Sequence, residues 1–273
     1  MTRTALIVII IIAISSIITP ILTTLIIDRR RKLKLWIKIV FPLSFIFIVN
    51  SCGFVGYFLV YYHATSEVKE YLVDKDKVKV TSEINYYLFD NVENSDKALI
   101  FYGGAKVEEK SYAPMLNKIA QNGIDVYLIK MPLRFPLFSA TKADSVYSKA
   151  LNNYKDVYLM GHSLGGVCAA TDLIQTKLDY KGIIFLASYS NKKVDDKYKA
   201  LSIYASEDKV MNRNEYNKNA TNFPSSYTTK IIEGGNHANY GYYGKQAQDG
   251  VATITREQQI DITVSYVTEF ING

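Results

Sequence analysis

The chain has 273 residues, 48% of them apolar, and a formal net charge of +6, which is ample for one large domain with a proper core. The basic excess does not indicate a nucleic-acid partner. Arg29, Arg30, Arg31, Lys32, Lys34 and Lys38 sit together between two apolar stretches, and the remaining charge is mixed in sign with no basic–aromatic array.

The first apolar stretch, residues 5–27, carries no charge and is long enough to cross a bilayer. The second, residues 39–62, is also uncharged and ends in Tyr57, Tyr61 and Tyr62, aromatics suited to the headgroup region. A cleaved signal peptide is the alternative for the first stretch. Its apolar region is too long for one, only Arg3 precedes it, and no small-x-small site stands before Asp28. A buried helical hairpin fits poorly, because neither segment has a polar face. Two transmembrane helices are therefore expected, with the basic loop between them cytoplasmic. That makes a multi-pass cell-membrane protein whose chain beyond Tyr62 is extracytoplasmic. The organisation expected is an anchor over 1–62, a polar linker over 63–76 and a globular domain over 77–273. Cys52 falls in the second helix and Cys168 in the domain, an implausible pair for a disulfide, and Cys168 reads as a small core residue.

Residues 77–90 are rich in β-formers and suit an edge strand or hairpin, and 91–96 form a turn. Residues 98–102 are a continuous apolar strand of the kind buried on both faces of a parallel sheet. Strands and helices then alternate. A helix over 111–121, capped by Ser111, precedes a strand over 126–129, a proline-broken apolar loop over 131–139 and a helix over 141–152. Strands follow at 157–160, 183–187, 201–205 and 227–232, with helices from 167 to about 176 and over 211–219. A final amphipathic helix covers 256–270, with Thr255 and Gln258 forming a capping box. Repeated βαβ units imply a parallel sheet covered on both faces, with ligands at the strands' C-terminal ends.

Into this alternation falls Gly161-His162-Ser163-Leu164-Gly165-Gly166, between a strand signal and a helix signal. A sharp strand-to-helix turn lifts the Ser163 hydroxyl above the sheet, and side chains two residues to either side would collide, hence glycine at 161 and 165. A serine hydroxyl is a poor nucleophile at neutral pH and needs a base oriented by a carboxylate. Of the three histidines, His63 lies at the membrane exit and His162 is inside the turn, where packing is its expected role. His237 follows the last strand on a glycine-rich loop and is the candidate base. The acid should lie between Ser163 and His237 just after a strand. Asp208 fits best, with Glu207 its neighbouring competitor, Asp195 and Asp196 weaker ones, and Asp172 poorly placed inside a helix. Backbone donors for an oxyanion are expected from Leu164 and from Gly104 or Ala105 in the Gly-Gly loop after the first parallel strand. No metal or cofactor is called for.

From about residue 97 to the end, the chain resembles the α/β-hydrolase superfamily through Gly161-His162-Ser163-Leu164-Gly165, Asp208 and His237. In detail it is similar to the small lidless group related to dienelactone hydrolases, whose bacterial members often carry N-terminal membrane helices. Phe101-Tyr102-Gly103-Gly104-Ala105-Lys106-Val107 and Gly235-Asn236-His237-Ala238-Asn239-Tyr240-Gly241-Tyr242-Tyr243-Gly244 carry that likeness. The resemblance implies an α/β-hydrolase fold behind two transmembrane helices. Dienelactone hydrolases use cysteine where this chain has Ser163, so their substrate does not transfer. Only residues 188–198 separate two strands where lipases insert a cap, so an open site is expected, walled by residues 131–138 and by Tyr240, Tyr242 and Tyr243. The reading is a membrane-anchored serine hydrolase acting on a small-molecule ester, thioester or related acyl substrate. An acyltransferase with the same triad and a non-catalytic tethered binding module are the alternatives. Oligomeric state is not readable.

Overall fold

The structure is a computed structural model that describes residues 3–150 and 154–273, with side chains of 3–12 and 149–150 outside the description. The chain divides into two compact units, 1–60 and 61–273.

The first unit holds helices α1 (Arg3–Arg31) and α2 (Leu35–Leu59), which pack on one another across a three-residue turn. Asp28 fixes that turn: one carboxylate oxygen accepts from the Leu33 amide at 2.8 Å and the other pairs with Lys38 at 2.7 Å. Among the described residues α2 alone is long and apolar enough to cross a membrane, with a mean hydropathy of 2.0, and most of its large apolar side chains are exposed, Phe58 being buried. It begins at Leu35, four residues earlier than expected, because Lys38 is held by Asp28 and can be accommodated in the first turn. Part of the expected first span, residues 5–12, lies outside the described side chains.

The second unit is built on an eight-stranded sheet of order β1-β2-β4-β3-β5-β6-β7-β8. β1 (Val78–Ser82) and β2 (Tyr86–Asn91) form an antiparallel hairpin at one edge. β3 (Lys97–Tyr102), β4 (Asp125–Ile129), β5 (Asp156–His162), β6 (Gly182–Leu186), β7 (Lys199–Ala205) and β8 (Thr228–Ile232) are mutually parallel. Every residue of β4 and β6 is buried, as a central parallel strand covered on both faces requires, whereas edge strand β8 buries only Ile232. Helices α3 (Ala113–Gln121) and α7 (Arg256–Asn272) pack together, as do α4 (Lys142–Ala150) and α5 (Leu164–Gln175), with short α6 (Arg213–Lys218) after β7.

From β3 the chain steps outward to β4, then returns to the other side of β3 for β5 and proceeds towards β8. Right-handed crossovers in opposite directions put α3 and α5 on opposite faces of the sheet. The reversal of strand order between β3 and β5 is the place where ligands bind in open α/β sheets.

Two local expectations need correction. Ser111 does not cap α3: it lies in a 3₁₀ turn (Glu109–Tyr112), its hydroxyl buried without a partner, and α3 starts after Tyr112 with Pro114 in its first turn. Proline at that position has no N–H to cap, so the turn can run directly into the helix. Helix α6 is shorter than residues 211–219, because Asn212 caps it by accepting from the Asn214 and Glu215 amides. The end of the expected helix over 141–152 lies outside the described residues. The Thr255–Gln258 capping box is present. Residues 61–76 pack into the second unit: the Tyr62 amide donates to Lys106 O, the Glu108 amide to Tyr62 O, and Val68 is buried.

Candidate active site

Ser163 is the single residue between β5 and α5, at φ 54° and ψ −126°. A non-glycine residue in that region is strained, and the surroundings hold it there. Its amide donates to Leu186 O at 2.9 Å and the Ser188 hydroxyl donates to its carbonyl at 2.6 Å. The glycines meet the steric demand read from the motif. A Cβ on Gly161 would stand 2.4 Å from Gly165 C, and one on Gly165 would stand 2.3 Å from Tyr102 O. The second contact was not legible in the motif: α5 begins pressed against the end of β3. The Ser163 side chain is half-buried.

Asp208 follows β7 and His237 follows β8, both buried. His237 Nδ1 and Asp208 Oδ2 are 2.8 Å apart. The other carboxylate oxygen accepts from the Val210 and Met211 amides at 2.9 and 2.8 Å. Burial pushes the Asp208 carboxyl up, but the bond and charge of His237 and the two amides overcome it and hold the group below the usual carboxylate range. The competing acids go elsewhere. The Glu207 carboxylate accepts from the neighbouring Ser206 hydroxyl, at 3.4 Å. Asp195 accepts from the Lys197 amide, and Asp196 pairs with exposed Lys193. Asp172 is buried against Tyr102 and Ala143.

The histidine loop is fixed by residues that the sequence did not single out. Asp249 accepts from the His237 and Ala238 amides, at 3.3 and 2.8 Å. Gln259, fully buried on α7, accepts from the Asn236 amide and donates to the Asn236 carbonyl. A signal for Gln259 existed, since it shares the apolar face of α7 with Ile260, Val264 and Val267, and an amide there needs a polar partner.

The loop after β3 differs from expectation at Gly104. Its N–H donates inward to the Tyr112 hydroxyl at 2.9 Å, so it is not directed to substrate. The Ala105 and Leu164 residues are half-buried, and neither amide has an acceptor within the described residues. His162 is more than packing. Its Nδ1 lies 2.9 Å from the Tyr112 hydroxyl and its ring centroid 4.5 Å from that of His237. Burial, reinforced by the neighbouring His237, presses its pKa well below the ordinary value, so it is neutral.

The expected walls split. Leu133, Leu137 and Phe138 are exposed, whereas Tyr240 and Tyr243 are buried and belong to the core, with Tyr242 half-buried. Their rings pack on His162 and Tyr112 respectively, which draws them inward. No group of three or more His, Cys, Asp or Glu side chains suited to a metal occurs among the described residues.

The profile of the Alpha/beta hydrolase family matches residues 98–261. No curated protein matches the chain. Among solved structures, a predicted CIB-like hydrolase from Thermoplasma acidophilum superposes with a TM-score of 0.53 at 20% identity, covering 70% of this chain and 99% of its own. An esterase/lipase from an uncultured bacterium gives 0.53 at 10% identity, covering 76% and 90%. A dienelactone hydrolase from Anabaena variabilis gives 0.52 at 12% identity, covering 71% and 97%. At these identities the likeness is one of fold.

Proposed function

The chain belongs to the alpha/beta hydrolase family, and from that footing we propose that it cleaves an ester, thioester or related acyl bond through an acyl-enzyme on Ser163. The observation that carries this reading is the strained serine at φ 54° at the C-terminal end of β5, together with, after β8 of the same sheet, a buried histidine whose Nδ1 meets a carboxylate at 2.8 Å. In this reading Ser163 Oγ attacks the acyl carbon and its proton passes to His237 Nε2. Asp208 holds the Nδ1–H and stabilises the imidazolium. The negative charge on the former carbonyl oxygen is taken by the Leu164 and Ala105 N–H groups. His237 returns its proton to the leaving alcohol or thiol. Water then attacks the acyl-enzyme with His237 again as base, releasing the acid and restoring Ser163.

The test is labelling of the full-length protein with a fluorophosphonate, which phosphonylates activated serines. Ser163 should be the modified residue, and the Ser163→Ala variant should be neither labelled nor active. Labelling that persists in Ser163→Ala, or a wild type that is inert to both probe and esters, refutes the reading.

The N-terminal segments are, in this reading, a membrane anchor that holds the hydrolase unit on the extracytoplasmic side. Supporting it are α2, apolar and without charge from Ile39 onward, and the cluster Arg29, Arg30, Arg31 and Lys32 ahead of it. Protease added to intact cells should remove the C-terminal unit, and full protection would overturn that orientation.

A further inference from the structure

We propose that Tyr112 and His162 are positioning residues that set the oxyanion loop and tie it to the base, an inference that rests on the hydrolase reading above. The Tyr112 hydroxyl is fully buried and accepts the Gly104 N–H at 2.9 Å. Its own proton then has one acceptor in reach, His162 Nδ1, also at 2.9 Å. Neutral His162 accepts at one ring nitrogen and carries its proton on the other. The order of donors is thereby fixed: Gly104 N–H to Tyr112 O–H to His162 Nδ1, with the His162 proton on Nε2. That Nε2 is buried with no partner at hydrogen-bond geometry.

The chain of bonds has a consequence for the loop. With the Gly104 amide turned inward, the amide left to face substrate is that of Ala105, opposite Leu164. The fit is close: a Cβ on Gly104 would lie 3.0 Å from the Tyr112 oxygen and 3.1 Å from His162 Nδ1. Remove the tyrosine oxygen, and the buried Gly104 N–H loses its acceptor and the loop loses the reason to keep that peptide plane. The same His162 ring, covalently next to Ser163, packs at 4.5 Å on His237. One imidazole that transfers no proton thus contacts the base directly and the oxyanion loop through one hydroxyl.

The test uses full-length protein in detergent micelles with a soluble short-chain ester. Tyr112→Phe keeps the ring and deletes the oxygen. It should lower kcat about 10- to 100-fold, with KM changed less than about twofold, since the loss falls on the transition state. His162→Asn, whose side-chain oxygen replaces Nδ1 as acceptor, should retain most of the wild-type kcat, whereas His162→Leu should fall with Tyr112→Phe. Undiminished kcat in Tyr112→Phe, a rise in KM alone, or equal losses in the two His162 variants would overturn the positioning role. Wild type without turnover would instead sink the hydrolase reading itself. A measurement on the unmutated protein guards against variants that fail to fold. With only three histidines in the chain, ¹⁵N-histidine spectra between about pH 5 and 9 should resolve His162 as neutral throughout, with Nδ1 bare and hydrogen-bonded. A His162 that titrates in that range, or carries its proton on Nδ1, refutes the proposal.

Discussion

Replacing Asp172 with asparagine should change how the stability of the hydrolase unit depends on pH, by an amount that can be worked from its surroundings. Asp172 sits fully buried on α5. Its Oδ2 accepts from the Tyr102 hydroxyl and, at 2.9 Å, from the Ala143 amide, while Oδ1 is buried with no partner at hydrogen-bond geometry. The ionisable groups around it are Asp144, Tyr102, Tyr180 and Cys168. Burial pushes its carboxyl from the ordinary 3.8 up to about 7; the Tyr102 bond opposes this and the Asp144 charge adds to it. Below pH 3.8 folded and unfolded chains both hold the proton. Between about 4 and 7 the unfolded chain has released it and the fold retains it, so stability falls as pH rises. Three units correspond to about 4 kcal/mol at the upper end of the window. The amide of the Asp172→Asn variant does not titrate, so its stability relative to wild type should climb by about 3 kcal/mol between about pH 4.5 and 7.5, whatever the constant offset from its altered hydrogen bonds. Asp208 shifts the opposite way but is common to both proteins and cancels. Guanidinium unfolding of full-length protein in micelles, followed by near-UV circular dichroism, reads the difference. Parallel stability curves across the window, or a variant that loses ground as pH rises, would refute the reasoning.

The remaining predictions address the site and its frame. Asp208→Asn should lower kcat by roughly 10⁴ by losing the charge that stabilises the imidazolium, while Glu207→Gln should stay within a few-fold, as steady-state ester hydrolysis will show. Equal losses would mean the acid is misassigned. Gly165→Ala should destroy the fold or cost more than about 3 kcal/mol, because its Cβ meets the Tyr102 and Gly103 carbonyls at 2.3 and 2.4 Å and neither backbone can yield. A soluble, normally melting variant contradicts that packing. Thr255→Ala removes the N-cap of α7 and should cost about 1 kcal/mol in the same unfolding assay without altering kcat.

What could be read from the sequence were features whose cause is local. Residues 98–102 are apolar without alternation because both faces of β3 are covered, and the elbow shows itself because its strain demands glycine at fixed offsets. That Asp208 and His237 would meet was legible from chain order and position after strands. The features missed are those whose partners lie far along the chain. Ser111 looked like a cap because a serine before a helix usually is one, but Pro114 lets the preceding turn run straight on. Tyr240 and Tyr243 looked like site walls because an aromatic with a polar tip reads alike buried or exposed. Tyr112 and His162 are 50 residues apart, and the motif treats the residue before the serine as filler. No periodicity marks a hydroxyl that one buried amide happens to need.

The placement of Asp172 bears on the site as well as on stability. Gly165 and Asp172 are seven residues apart on α5 and so lie on one face of the helix, two turns apart. Gly165 packs against the Tyr102 and Gly103 carbonyls, and Asp172 receives the Tyr102 hydroxyl. Helix α5 is therefore tied to the end of β3 at two points, one steric and one polar, and both converge on Tyr102, just before the Gly103-Gly104 turn. Ser163 and Leu164 ride on the first turn of that helix. A displacement of Ser163, the proposed nucleophile, relative to the end of β3 would have to break the hydrogen bond or open the glycine contact. Donors held in fixed relation to the reacting atom do not have to be reoriented when charge develops, which is where such sites gain most of their advantage over water.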